Sequence, residues 1–358
     1  MYFAYTFLVE RRTEMSESGI VKIGEGGGKN NAISFIRMIA MEMIIICHIM
    51  QYYDFVLAWW FNVGVQIFLC ISGFLYGQKA IENIARFYNQ RIKKILVPYY
   101  LTLIPFAIFE FVFCSAVISF KSFLEAIVLH TTLKGAGHLW FVPTILLCYL
   151  ITPLIQIYRD EYVRSKRSWY VFLSFGVISV SLFFGLFNDF FNPAWTACYV
   201  IGYALGVNEK NLWVENIKLT RLIGIVALVG NVLQIFFQYV KRISFPGCGL
   251  FYNYNHVALG VFIFLVLKQF LEHRNLEKFG IVLQISDEYS YEVYLVHQLI
   301  ILGPFSLLAV SKNMAVGIIL IIAGIFLLAM VLKKGEKVIY KVIEAKLAFW
   351  LVRYSSSI

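Results

Sequence analysis

Two residues in one apolar run offer the clearest chemistry in this sequence. The run Ile33 to Gln51 reads I-S-F-I-R-M-I-A-M-E-M-I-I-I-C-H-I-M-Q, with Arg37 near its start and His48 near its far end. They are eleven positions apart, which at about 100° per residue is three turns plus about 20°. On a helix both side chains therefore share one face, about 16 Å apart along the axis. One is a fixed cation and the other a ring that titrates near neutral pH. Aligned inside a membrane-length helix, such a pair marks a functional site by default, because charge in lipid is costly.

Four further stretches carry candidate chemistry. Arg86, Arg91, Lys93 and Lys94 precede Pro98 at spacings that would line one face of a juxtamembrane helix. Arg91, Lys93 and Lys94 could hold the phosphates of a nucleotide-like donor, the Arg as a bidentate clamp. A topology signal or a lipid-headgroup anchor is the competing reading. Ser72-Gly73, in Phe68 to Phe74 (F-L-C-I-S-G-F), is a small pair that allows close helix approach. Gly137-His138-Leu139-Trp140-Phe141 opens a later apolar segment. His138 there either lines a pocket on the outer side or is an ordinary interfacial histidine, and Trp140 is a normal belt residue. Ser290 to His297 (S-Y-E-V-Y-L-V-H) carries Glu292 and His297, about 140° apart on a helix, so each is expected to face the bundle interior without pairing. Glu42, Glu110 and His256 are expected to bond between helices or to join the chemistry, with Glu42 facing a different neighbour from Arg37.

The elements that position these residues follow from composition. The chain has 358 residues, 60% hydrophobic and 15% charged, with a mean hydropathy of +0.74. Soluble domains carry about 25% charged residues, so this is an all-α, polytopic integral membrane protein. The net charge of +10 is read as positive cytoplasmic loops, and no nucleic-acid partner is expected. Cys47, Cys70, Cys114, Cys148, Cys198 and Cys248 show no metal or disulfide spacing, and they are expected to pack as small apolar residues. No metal site is expected. The N-terminus lacks signal-peptide order, since its apolar start precedes Arg11 and Arg12. Gly24 to Lys29 (G-E-G-G-G-K) misses the phosphate-loop pattern at Ile23 and Asn30 and reads as a flexible tether.

Ten apolar segments are expected, near 33–53, 57–77, 95–118, 139–158, 168–188, 193–207, 220–240, 247–268, 289–310 and 314–333. With the N-terminus inside, 26 of the 31 basic residues fall on the cytoplasmic side. Only Lys121, Lys134, Lys241, Arg242 and Lys312 fall outside. That asymmetry predicts ten spans with both termini cytoplasmic, in a multi-pass cell-membrane protein in contact with lipid. The expected organisation is a cytoplasmic tail over 1–32, one membrane domain over 33–334 and a cytoplasmic tail over 335–358.

Taken together, these motifs resemble the membrane acyltransferase family called acyltransferase type 3. The likeness is carried by Arg37/His48, by Phe68 to Phe74, by Arg91 to Pro98, by His138 to Phe141 and by Tyr294 to His297 (Y-L-V-H), over roughly residues 33–330. Lys94 stands where many members carry a second Arg, and Glu292 is unusual within the late motif. The resemblance implies transfer of an acyl group, usually acetyl, from cytosolic acetyl-CoA to a hydroxyl of a glycan, a lipid-linked glycan or another exported acceptor. Surface polysaccharide is the acceptor it points to. His48 is then expected as general base or as a transient acyl-imidazole carrier. Arg37 is expected to hold the donor phosphates or to orient the thioester. Arg91, Lys93, Lys94 and Ser72 are expected at the donor, and His138, Trp140, Glu292 and His297 at the acceptor. A transporter or flippase for a lipid-linked glycan is the alternative, and a non-catalytic sensor or scaffold a third reading.

Overall fold

The computed structural model describes residues 30–113, 120–130, 133, 135–164, 192–208 and 214–355. The described residues from Asn31 onward belong to one compact unit. The segment expected near 168–188, Cys114, Lys134 and the glycine-rich stretch Gly24 to Lys29 lie outside the described residues.

Among the described residues the regular structure is entirely helical. The helices are α1 (Asn31–Tyr52), α2 (Ala58–Phe61), α3 (Gly64–Gly77), α4 (Ile84–Phe113), α5 (Phe120–Ile127), α6 (Phe141–Arg164), α7 (Pro193–Val207), α8 (Ile217–Ile235), α9 (Cys248–Glu272), α10 (Gly280–Ile301) and α11 (Met314–Ser355). The helix starts follow the sequence. Asn192 Oδ1 accepts from Ala194 N at 3.0 Å with Pro193 in the first turn, and Asn216 Oδ1 accepts from Lys218 N at 3.0 Å at the start of α8.

Seven helices are long and apolar enough to cross a membrane, among the described residues. They are Asn31–Tyr52, Ala58–Gly77, Ile84–Phe113, Gly137–Asp160, Ile217–Lys241, Cys248–Glu272 and Met314–Ile343. Pro193–Val207 is apolar but shorter. The segment expected over 289–310 differs most. The helix there begins at Gly280 and ends at Ile301, so it gathers Asp287, Glu288 and Glu292 into one span-length window. The basic stretch Arg86 to Lys94 is helical, as its spacing predicts, and it is continuous with the span, for α4 runs from Ile84 through it and through Pro98 and Pro105. α11 likewise continues past residue 334 to Ser355.

The surface shows what solvates it. Ile225, Leu228 and Val232 of α8 and Ile319 and Leu327 of α11 are exposed. Apolar faces of this kind suit lipid rather than water. Polar atoms go inward instead, as with Gln66, Glu110, His256 and His297, each at most 1% exposed. Glu42 departs from this rule and from the expectation of a helix neighbour, because it is exposed on α1. Cys47, Cys70, Cys148 and Cys198 are buried free thiols.

The tightest seam joins α3 and α7. Gly73 and Gly77 meet the backbone of Tyr199 and Tyr203, while Gly202 and Gly206 meet the backbone of Cys70 and Phe74. A Cβ at any of the four would collide with the facing main chain. This is mutual small-xxx-small packing, which lets two helices approach at backbone distance in lipid. Cys198 Sγ adds a hydrogen bond to Gln66 O at 3.1 Å. The seam fixes the rotation of α3 and leaves Ser72 facing the site. α1 packs between α3 and α10, and α10 also packs on α11.

Candidate functional site

α1, α3, α4, α6, α10 and α11 enclose a cavity of about 540 Å³. Its lining is sorted by chemistry along α1, α6 and α10. At one end stand Arg37, Lys79, Arg91, Lys94 and Lys333 with the carboxylates of Asp287, Glu288, Glu292 and Glu336. At the other stand Ile44, Val65, Phe141, Ile145 and Tyr294. Ser72, Tyr149 and Tyr291 lie between them in helix register. From Tyr76 to Val65 along α3 the lining spans roughly 16 Å.

The cations at the charged mouth are held in different ways. Arg37 is ion-paired with Asp287, which also accepts from Ser34 Oγ at 2.6 Å. Lys333 bridges Glu292 at 2.7 Å and Glu336 at 3.0 Å. Arg91 instead lies over aromatic rings, its guanidinium 5.2 Å from the Tyr76 centroid and 5.9 Å from that of Tyr149. Its buried Nε has no hydrogen-bond partner. A guanidinium set against π faces, with one N–H unmatched, is ready for an anionic oxygen. Lys94 faces the same space.

One helical turn beyond the apolar end lie three histidines from three different elements. The His48 and His297 ring centroids are 5.0 Å apart, those of His138 and His297 4.9 Å, and those of His48 and His138 6.5 Å. Each ring is oriented by one hydrogen bond. His48 Nδ1 donates to Gln51 Oε1 at 2.6 Å, His297 Nδ1 to Tyr294 O at 2.6 Å, and His138 Nε2 to Leu295 O at 3.0 Å. Each bond uses the N–H of one nitrogen and leaves the other as an acceptor. The acceptor nitrogens are His48 Nε2, His297 Nε2 and His138 Nδ1. The last two are buried without a partner. Tyr294 Oη donates to His138 O, and Gln298 Oε1 accepts from His138 N at 2.6 Å, so α10 locks the short turn that carries His138.

The residues expected at the site thus divide. Arg37, Ser72, Arg91, Lys94 and Glu292 share the cavity. His48, His138 and His297 share the ring cluster. Lys93 lies outside the cavity lining, and its backbone oxygen accepts from Tyr340 Oη at 3.1 Å. Trp140 is also outside it, stacked on Trp195 at 3.6 Å. Glu292 and His297 do not meet, since Glu292 turns to Lys333. His256 is instead packed against Trp59, with ring centroids 4.4 Å apart and the planes tilted by 35°. Sequence reasoning missed Asp287, Tyr76, Tyr149 and Lys333. Asp287 carried a signal, being one of three acids within six residues at the start of a membrane-length segment.

Among the described residues no group of three or more His, Cys, Asp or Glu is placed to hold a metal ion. The arrangement suits an anionic head with an apolar end, delivered toward a basic nitrogen. A family model described as an acyltransferase domain, Acyl_transf_3, matches residues 30–334. Neither a curated protein nor a solved structure matches the chain.

Proposed function

The chain belongs to the acyltransferase type 3 family, and on that premise we propose that it moves an acetyl group from cytosolic acetyl-CoA to a hydroxyl of a surface or exported polysaccharide. The observation that carries the reading is the graded cavity. It offers cations to phosphates at one end and apolar walls to an acyl group at the other, with a histidine cluster one turn further on.

In this reading the donor phosphates take Arg91 and Lys94, and the unmatched Arg91 Nε supports the fit. The arm of the donor runs past Ser72 and Tyr149 toward Ile44 and Tyr294. His48 follows Ile44 by four residues, one turn beyond the floor of the cavity, and the Ile44 side chain must turn aside for the ring to reach the thioester carbonyl. His48 Nε2 takes the proton of the acceptor hydroxyl as the oxygen bonds to the carbonyl carbon. The C–S bond then breaks, and the imidazolium returns the proton to the departing thiolate. His138 Nδ1 and His297 Nε2 accept hydrogen bonds from neighbouring hydroxyls of the glycan, which turns one hydroxyl toward His48. Gln51 keeps the His48 ring in the required tautomer. Arg37, held by Asp287, stands one side chain from the arm and steadies it.

The test is transfer of radiolabelled acetyl from acetyl-CoA by the purified protein in lipid, with de-O-acetylated surface polysaccharide from the host as acceptor. Label is expected in the polysaccharide as an alkali-labile ester. Absence of transfer from acetyl-CoA to that acceptor would overturn the reading. Label retained on the protein without acceptor would replace the base by an acyl-imidazole carrier.

A further inference from the structure

We propose that the apolar floor of the cavity selects the acyl group, admitting a short uncharged chain and excluding long or carboxylated ones. The inference rests on the acyl-CoA reading above and adds the residues that set its specificity.

The floor is built from four directions. Ile44 comes from α1, Val65 from α3, Phe141 and Ile145 from α6, and Tyr294 from α10. The helices run alternately toward and away from it, so their registers report its position independently. Going from the mouth, α1 reads Arg37, Met41, Ile44, and α10 reads Asp287, Tyr291, Tyr294. α6 in reverse reads Tyr149, Ile145, Phe141. α1 and α6 pass from charge or hydroxyl to hydrocarbon over about two turns, and α10 passes from a carboxylate to the Tyr294 ring, whose hydroxyl is engaged by His138 O. The cavity's cations and carboxylates all lie at the mouth.

The floor is also closed. Phe141 packs on Tyr294 with ring centroids 5.0 Å apart. Tyr294 is held in turn by its hydrogen bond to His138 O and by the His138 ring at 5.3 Å. Ile44, Val65 and Ile145 are at most 3% exposed, which leaves no slack behind them. An acyl chain entering from the mouth therefore ends against Phe141 and Tyr294. A few extra methylenes must displace packed rings. A terminal carboxylate, as in a succinyl group, would lose its water with no cation within the floor to replace it.

The experiment uses the full-length protein in lipid nanodiscs and displacement of radiolabelled acetyl-CoA by unlabelled CoA, butyryl-CoA, hexanoyl-CoA and succinyl-CoA. CoA and acetyl-CoA are expected to compete within a few-fold of each other, with hexanoyl-CoA about tenfold weaker or more and succinyl-CoA weaker still. Phe141→Ala is expected to restore hexanoyl-CoA about tenfold while leaving CoA affinity and the exclusion of succinyl-CoA in place. Ile145→Ala, one turn further along the same wall, is the second variant, expected to act in the same direction. CoA competition reports that each variant is folded. Equal competition by acetyl-, hexanoyl- and succinyl-CoA would overturn the inference while leaving the donor reading intact. So would unchanged selectivity in the variants that still bind CoA. Failure of CoA itself to compete would overturn both.

Discussion

Arg91 offers the sharpest account of donor affinity. Its guanidinium lies 5.2 Å from the Tyr76 ring and 5.9 Å from the Tyr149 ring, with Nε buried and unmatched. The cation–π contacts, about 1 kcal/mol each, exist with and without donor, so they orient the group and add nothing to the binding difference. What the donor gains is a charge-assisted hydrogen bond or pair of bonds to phosphate, about 1.5–3 kcal/mol. At about 1.4 kcal/mol per decade, Arg91→Ala should raise KM for acetyl-CoA roughly tenfold to 150-fold. The phosphates are remote from the reacting carbonyl, so kcat should change by less than about threefold, as for an interaction equally strong in ground and transition states. Arg91→Lys keeps the charge but loses the planar fork and Nε, and should fall between the two. The assay is initial-rate transfer at varied acetyl-CoA, at two salt concentrations, with the mutational effect shrinking at high salt. An Arg91→Ala enzyme with unchanged KM, or one whose whole loss lies in kcat, would refute the phosphate assignment.

Two other predictions follow from the packing. Asp287→Asn leaves Arg37 half-buried without its carboxylate and removes the charged partner of Ser34. It should cost about 1–3 kcal/mol, seen as a lower melting temperature in detergent, and an unchanged melting temperature would contradict that weight for the pair. Gly202→Val places two methyl groups against the main chain at Cys70. It should abolish monodisperse protein on gel filtration, whereas Ala258→Val on the neighbouring α9 should be tolerated; normal elution of the glycine variant would show that α3 and α7 do not depend on this seam.

Much of the fold was legible because lipid imposes long apolar helices. Arg37 and His48 do share α1, and Lys79, Arg91 and Lys94 line one cavity with Arg37, because helix periodicity and charge cost act within short stretches. What was not legible depends on partners distant in sequence. Asp287 lies 250 residues from Arg37, and no local pattern announces that it will claim that cation. Lys93 and Lys94 are equivalent by composition, but α4 turns only Lys94 into the cavity. Glu42 reads as an inward residue by the cost of charge in lipid, yet it is exposed. Trp140 reads as a site residue by its motif, yet it stacks on Trp195, whose position depends on α7 docking against α3. The His48–His138–His297 cluster required three elements to converge, and the sequence offered its members only one at a time.

The central claim is that His48, seated beyond the apolar end of the cavity, carries the acyl transfer. The most direct measurement is single-turnover transfer by His48→Ala and His48→Gln in lipid, at saturating acetyl-CoA, with donor binding measured on the same samples. The account predicts a loss of transfer of about 10²-fold or more, with acetyl-CoA affinity within a few-fold of the unsubstituted protein. Transfer at the original rate by either variant, with normal donor binding, would contradict it.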